Sequence, residues 1–120
     1  MSNLEDTRSA VAAAINGLSG FNIVSRGARF APKPLDGFVR VQRVAPMGFR
    51  TCDVEFGVVV CLGTDPETAD VNVDTYTVAL IDGISSALPA AALAAQPVLF
   101  AGPEGEFFAL EITFTLEVDS

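Results

Sequence analysis

Two stretches of strict alternation constrain this chain more than anything else in it. In residues 51–62, Cys52, Val54, Phe56, Val58, Val60 and Leu62 fall on one side, with Thr51, Asp53, Glu55 and Gly57 on the other. In residues 106–118, Phe108, Leu110, Ile112, Phe114, Leu116 and Val118 oppose Glu111, Thr113, Thr115 and Glu117. A period of two belongs to a strand, whereas a helix would scatter these residues around its circumference. The sheet is therefore expected to have one core face and one polar face.

The other elements follow from spacing and punctuation. Leu4, Val11, Ile15 and Leu18 predict a helix from residue 3 to about 18. Ser2 and Glu5 have capping-box spacing, and Ser19-Gly20 is a stop. Asp65 as N-cap, Pro66 and Glu67 open a second helix, which Val73, Tyr76, Leu80, Ile84 and Leu88 continue to Pro89. Residues 21–24 read as a short extended piece and 38–45 as a strand, with a turn at Pro46-Met47-Gly48. Between them, residues 25–37 form a basic loop. The alanines of residues 90–95 read as a turn or short helix, and residues 97–101 pair through a turn at 102–105 with the last strand. With no repeat or boundary, residues 1–120 are expected to form a single α+β domain, a mostly antiparallel four-stranded sheet with two main helices packed on one face.

Charge divides the chain in two. All seven cations, Arg8, Arg26, Arg29, Lys33, Arg40, Arg43 and Arg50, precede Thr51 against three acids, giving +4. From Thr51 onward there are twelve acids and no cation, giving −12 and a net charge of −8.

Several function classes find no support in these residues. Histidine is absent, so imidazole metal sites and His-based triads cannot be built within one chain. Cys52 and Cys61 would lie roughly 30 Å apart along one strand, too far for a disulfide, and read as reduced thiols of a cytosolic product. No secretory signal is seen at the start, and the apolar run from Phe56 to Leu62 is too short to cross a membrane. Asp53 with Glu55, and Glu104 with Glu106, sit on a solvated strand face or turn where nothing would split their pKa values. Asp65, Glu67, Asp70 and Asp74 lack the spacing and loop glycine of a calcium loop. Gly102 and Gly105 lack the following helix of a phosphate cradle. Arg40 and Arg43 are expected on opposite faces of their strand, and a pI near 4.2 argues against specific nucleic-acid binding. The chain is expected to be no enzyme and to hold no cofactor or metal. Self-assembly remains, with the basic segment of one copy against the acidic surface of the next.

The stretch Phe30-Ala31-Pro32-Lys33-Pro34 leading into Phe38-Val39-Arg40-Val41-Gln42-Arg43-Val44 resembles the tail terminator proteins of long-tailed bacteriophages, especially those infecting actinobacteria. The order of elements extends the likeness over nearly the whole chain, and the local pattern covers about fifteen residues. Here the last strand carries acids where such proteins often carry cations, and Phe56 is the aromatic nearest the Trp often found near the start of the second strand. The resemblance implies a homohexameric ring at the head-proximal end of the tail in the virion. That ring ends tube polymerisation and joins the tail tube protein to a head-completion or neck protein, with DNA passing through unbound. Arg26, Arg29, Lys33, Arg40 and Arg43 would then lie at subunit or partner boundaries. Asp65, Glu67, Asp70, Glu104 and Glu106 would line an acidic lumen or surface that repels DNA. The competing expectations are a neck connector and a small host regulatory α+β binding domain.

Overall fold

A computed structural model describes residues 3–18, 20–24, 34–48, 51–102 and 105–119. The elements run α1 (Asn3–Asn16), β1 (Asn22–Val24), β2 (Asp36–Gly48), β3 (Thr51–Gly63), α2 (Pro66–Ala87), β4 (Ala91–Gly102) and β5 (Gly105–Asp119). The fold is α+β, and its five-stranded sheet has the order β1-β2-β3-β5-β4. The expected four antiparallel strands are present as β2, β3, β5 and β4. A fifth, β1, adds parallel to the start of β2, pairing Asn22–Val24 with Asp36–Phe38. Asn16 secures this addition at the end of α1. Its Nδ2 donates to the Ile23 carbonyl at 2.9 Å, and its Oδ1 accepts from the Ile23 N–H at 2.7 Å.

The alternating residues of β3 and β5 form the centre of the core. Val54, Phe56, Val58, Val60 and Leu62 meet Leu110, Ile112, Phe114, Leu116 and Val118 beneath Val11, Ala12 and Ile15 of α1 and Ala69, Leu80 and Ile84 of α2. Both helices thus cover the same sheet face. The start of α2 is as its sequence predicts: Asp65 caps it by accepting from the Thr68 N–H at 2.9 Å, with Pro66 in the first turn. Such a cap is worth about 1 kcal/mol. Asn72 ties the helix to the end of β3 by donating to the Leu62 carbonyl at 2.7 Å.

Four expectations need correction. The alanines of residues 90–95 are mostly strand, because pairing of Ala94 with Thr113 and Ala95 with Ile112 outweighs the helix propensity of a segment too short to hold a helix alone. Pro46-Met47-Gly48 does not turn the chain; β2 continues to Gly48, and Pro46 is tolerated because β2 is at the sheet edge there. Asp36 and Gly37, placed in the basic loop, begin β2. Finally, the second sheet face is only partly polar. Phe38, Val59, Cys61, Phe107 and Ala109 form a second buried cluster on it, with Phe100 against Phe38 and Phe107 at centroid distances of 5.8 and 5.2 Å. The unbroken apolar run at the end of β3 is what a strand buried on both faces requires.

Ser2, Ser19 and the segment 25–33 lie outside the described residues, and with them the capping box and most of the basic loop. The helix ends at Asn16, ahead of the expected stop; Gly20, with φ +96°, has left-handed backbone in the link to β1.

Candidate functional site: the open face of the sheet

The part of the sheet that no helix and no apolar cluster covers is built from transverse rows set by strand register. One row runs Arg40, Gly57, Thr113 and Ala94, the next Arg43, Glu55 and Thr115, and the third Ala45, Asp53 and Glu117. Glu111 stands opposite Val59, beside the first row. Strict alternation would put Arg40 and Arg43 on opposite faces. A β-bulge between Val41 and Arg43 inserts Gln42 as an extra residue, shifting the pairing so that both arginines share the open face.

Arg40 crosses β3 to form a salt bridge with Glu111 on β5. Gly57, the residue opposite Arg40, makes room for the side chain of Gln42, which a Cβ at that position would strike. Glu111 is mostly buried while Arg40 is 41% exposed, so this ion pair is shielded on its acidic side. The Nε of Arg40 is buried without a hydrogen-bond partner. Arg43, Ala45, Asp53, Glu55 and Thr115 line a shallow hollow of about 180 Å³. The open face therefore sets four carboxylates, Asp53, Glu55, Glu111 and Glu117, against two guanidinium groups, one of them held within the chain.

The other sequence-derived acids are placed differently. Gly63 pairs with Phe108, so Asp65 and Glu106, each two residues beyond, come to the same end of the sheet. Glu67 and Asp70 continue from there along the exposed start of α2. The Asp65 carboxylate is engaged in capping, where it also accepts from the Thr68 hydroxyl at 3.1 Å. Arg26, Arg29, Lys33 and Glu104 lie outside the described residues. Sequence reasoning singled out none of the open-face acids as site residues. Their signal was the same two-residue alternation that defined the core.

A second depression, of about 470 Å³, lies between Asp6, Thr7 and Ala10 of α1, Leu88 and Pro89 after α2, and Leu116 to Val118 of β5. Among the described residues no group of three or more Cys, Asp or Glu is arranged to hold a metal ion. No described helix is long and apolar enough to cross a membrane. The chain matches no known protein-family model, and no curated protein matches it in sequence.

Both cysteines are free thiols on β3, with unequal surroundings. Cys61 is wholly buried, and that burial, reinforced by the nearby Asp36 carboxylate, pushes its thiol above the ordinary value of 9.0 against an opposing hydrogen bond from the Gly63 backbone. Native protein at pH 8 is expected to consume one equivalent of a thiol reagent at Cys52, with Cys61 reacting on the order of a hundredfold more slowly until denaturant is added. Mass-spectrometric mapping of the labelled residues over time checks this; equal rates would contradict it. Because the native state holds the Cys61 proton to higher pH than the unfolded chain does, this thiol's contribution to stability falls as pH rises above 9.0.

Proposed function

We propose that this chain is a structural protein of a long-tailed phage virion, a tail-terminator-type subunit. In this reading, six copies form a ring at the head-proximal end of the tail. The reading rests on the helix-free, acid-rich open face, together with the order of elements and the FVRVQRV strand. A ring wall presenting Asp53, Glu55, Glu111 and Glu117 with the hydroxyls of Thr113 and Thr115 is wetted and repels phosphate, so DNA passes without being held. Asp65, Glu67, Asp70 and Glu106 extend the acidic surface toward one rim, and Glu104 is assigned the same acidic role in this reading. The ring ends tube growth by binding the last ring of tube protein while offering no surface for the next, which requires shape and charge complementarity and no chemistry.

Arg26, Arg29 and Lys33 act at subunit boundaries in this reading, where they meet the uncompensated acids of the neighbouring copy. Arg43 is available for the same use, whereas Arg40 is already paired with Glu111. Native mass spectrometry and electron microscopy of the purified protein should show a six-membered ring. Reversing Arg26 and Arg29 to Glu should shift the population toward monomers by roughly tenfold or more, and more strongly at low salt. Normal rings from that variant would remove the boundary role, and a wild-type monomer that does not associate with tails would remove the whole reading. A neck connector would share the ring and the conduit. It would be recognised by binding portal-side proteins in place of tail-tube protein.

A further inference from the structure

Among the described residues, the sheet has two open edges. On one side β4 is unpaired along its outer edge from Ala91 to Gly102. On the other, β1 covers β2 only as far as Phe38, so residues 39–48 are a second free edge of nearly the same length. Among the described residues, no backbone hydrogen bond outside the ladders involves either stretch. Exposed strand edges present rows of unpaired N–H and C=O groups that invite another chain.

We propose that β4 of one copy pairs antiparallel with the free edge of β2 in the next, so that the subunits join head to tail through one continuous sheet. This identifies the seam of the self-assembly proposed above and rests on that reading. Three observations select a second copy as the occupant and this geometry as the contact. First, β2, β3, β5 and β4 are successively antiparallel, so β4 runs opposite to β2. A rotation about an axis along the strands therefore brings β4 of one copy antiparallel to β2 of another, the more favourable ladder. Second, each edge carries an exposed large apolar residue on the helix-covered side: Leu99 on β4, 59% exposed, and Val44 on β2, 49% exposed. Leu99 pairs with Phe108, which packs against the main core, and Val44 with Val54 of that core, so joining the edges covers the two residues on one face.

Third, the charges match across the seam. β4 has no charged residue, and the acids Glu111 and Glu117 lie one strand further in, on β5. Pairing puts Arg43 of one copy two strands from β5 of its neighbour. That is the separation Arg40 already spans to reach Glu111. A proline stands on each edge, Pro97 on β4 and Pro46 on β2, so the seam's ladder carries no donor at those two positions. The bulge at the start of β4, where Ala92 has φ +54°, limits pairing to the strand's later part.

The test uses Leu99→Lys and Val44→Lys in the full chain, each at a surface site that should leave the fold intact by circular dichroism. In sedimentation velocity, each variant alone should associate roughly tenfold or more weakly than wild type. Mixed, they should form a one-to-one heterodimer, because Val44→Lys keeps an intact β4 edge and Leu99→Lys an intact β2 edge. A self-pairing edge would not show this rescue. Wild-type assembly with unimpaired variants, or variants that stay monomeric when mixed, would overturn the seam and leave the ring reading standing. Wild-type protein that stays monomeric would overturn both.

Discussion

Replacing Phe56 with alanine is expected to cost about 3–5 kcal/mol of folding stability, the range for emptying a buried aromatic site. Phe56 is 0% exposed, on the central strand. Its ring stacks on Phe114 at a centroid distance of 5.9 Å, and in the ladders it lies between Val41 and Phe114. The cavity would open between two paired strands and the helices above them, where hydrogen-bonded backbone on either side cannot collapse into it. A domain of this size is typically stable by about 5–15 kcal/mol, so the variant should be marginal. Its urea midpoint should fall sharply with little change in slope. Val78→Ala, at a side chain 68% exposed on α2, should change stability by no more than about 0.5 kcal/mol. A Phe56→Ala midpoint within error of wild type would show that the main core is not organised around this stack.

Gly37→Ala should also be strongly destabilising, by about 1–3 kcal/mol or more, for a different reason. A Cβ at Gly37 would collide with the carbonyl oxygen of Val59 and approach Ile23 Cδ1 to 3.1 Å. The obstacle is backbone of the central strand, which cannot move without breaking the pairing of Gly37 with Val60 and loosening β1. Amide hydrogen exchange should locate the damage, with faster exchange in β1 and in the end of β3 that faces it. Gly83→Ala is the control. There the added methyl meets only the end of the Leu18 side chain, at 2.9 Å, which can rotate away. That substitution should be near neutral, since helix propensity favours alanine by about 1 kcal/mol. Equal losses at the two glycines would mean that close backbone approach is not what places glycine at position 37.

These two positions also show what local pattern can and cannot reveal. Phe56 was legible because β3 and β5 alternate without a break, and alternation records burial on one face. The start of α2 was equally legible because Asp65, Pro66 and Glu67 act within one turn of the residues they cap. Gly37 read as the end of the basic loop, since the reason for its glycine lies in Val59, more than twenty residues away. The open face followed the same division. Alternation showed Asp53, Glu55, Glu111 and Glu117 pointing away from the main core. Their assembly into rows with Arg40 and Arg43 depended on a bulge at Gln42 that no propensity marks.

By itself the sequence determined the two core strands, both helices and the separation of charge along the chain, because each rests on interactions within a few residues or on a period repeated many times. Only the tertiary structure decided that β1 joins the sheet in parallel, that an alanine-rich segment becomes the edge strand β4, and that Val59, Cys61 and Phe107 form a second cluster. It also decided that the two arginines of β2 share a face, one of them bound to Glu111 across an intervening strand. Those outcomes depend on pairing between residues distant in sequence. Ladder hydrogen bonds and shared burial there outweigh local preferences of a few tenths of a kcal/mol per residue.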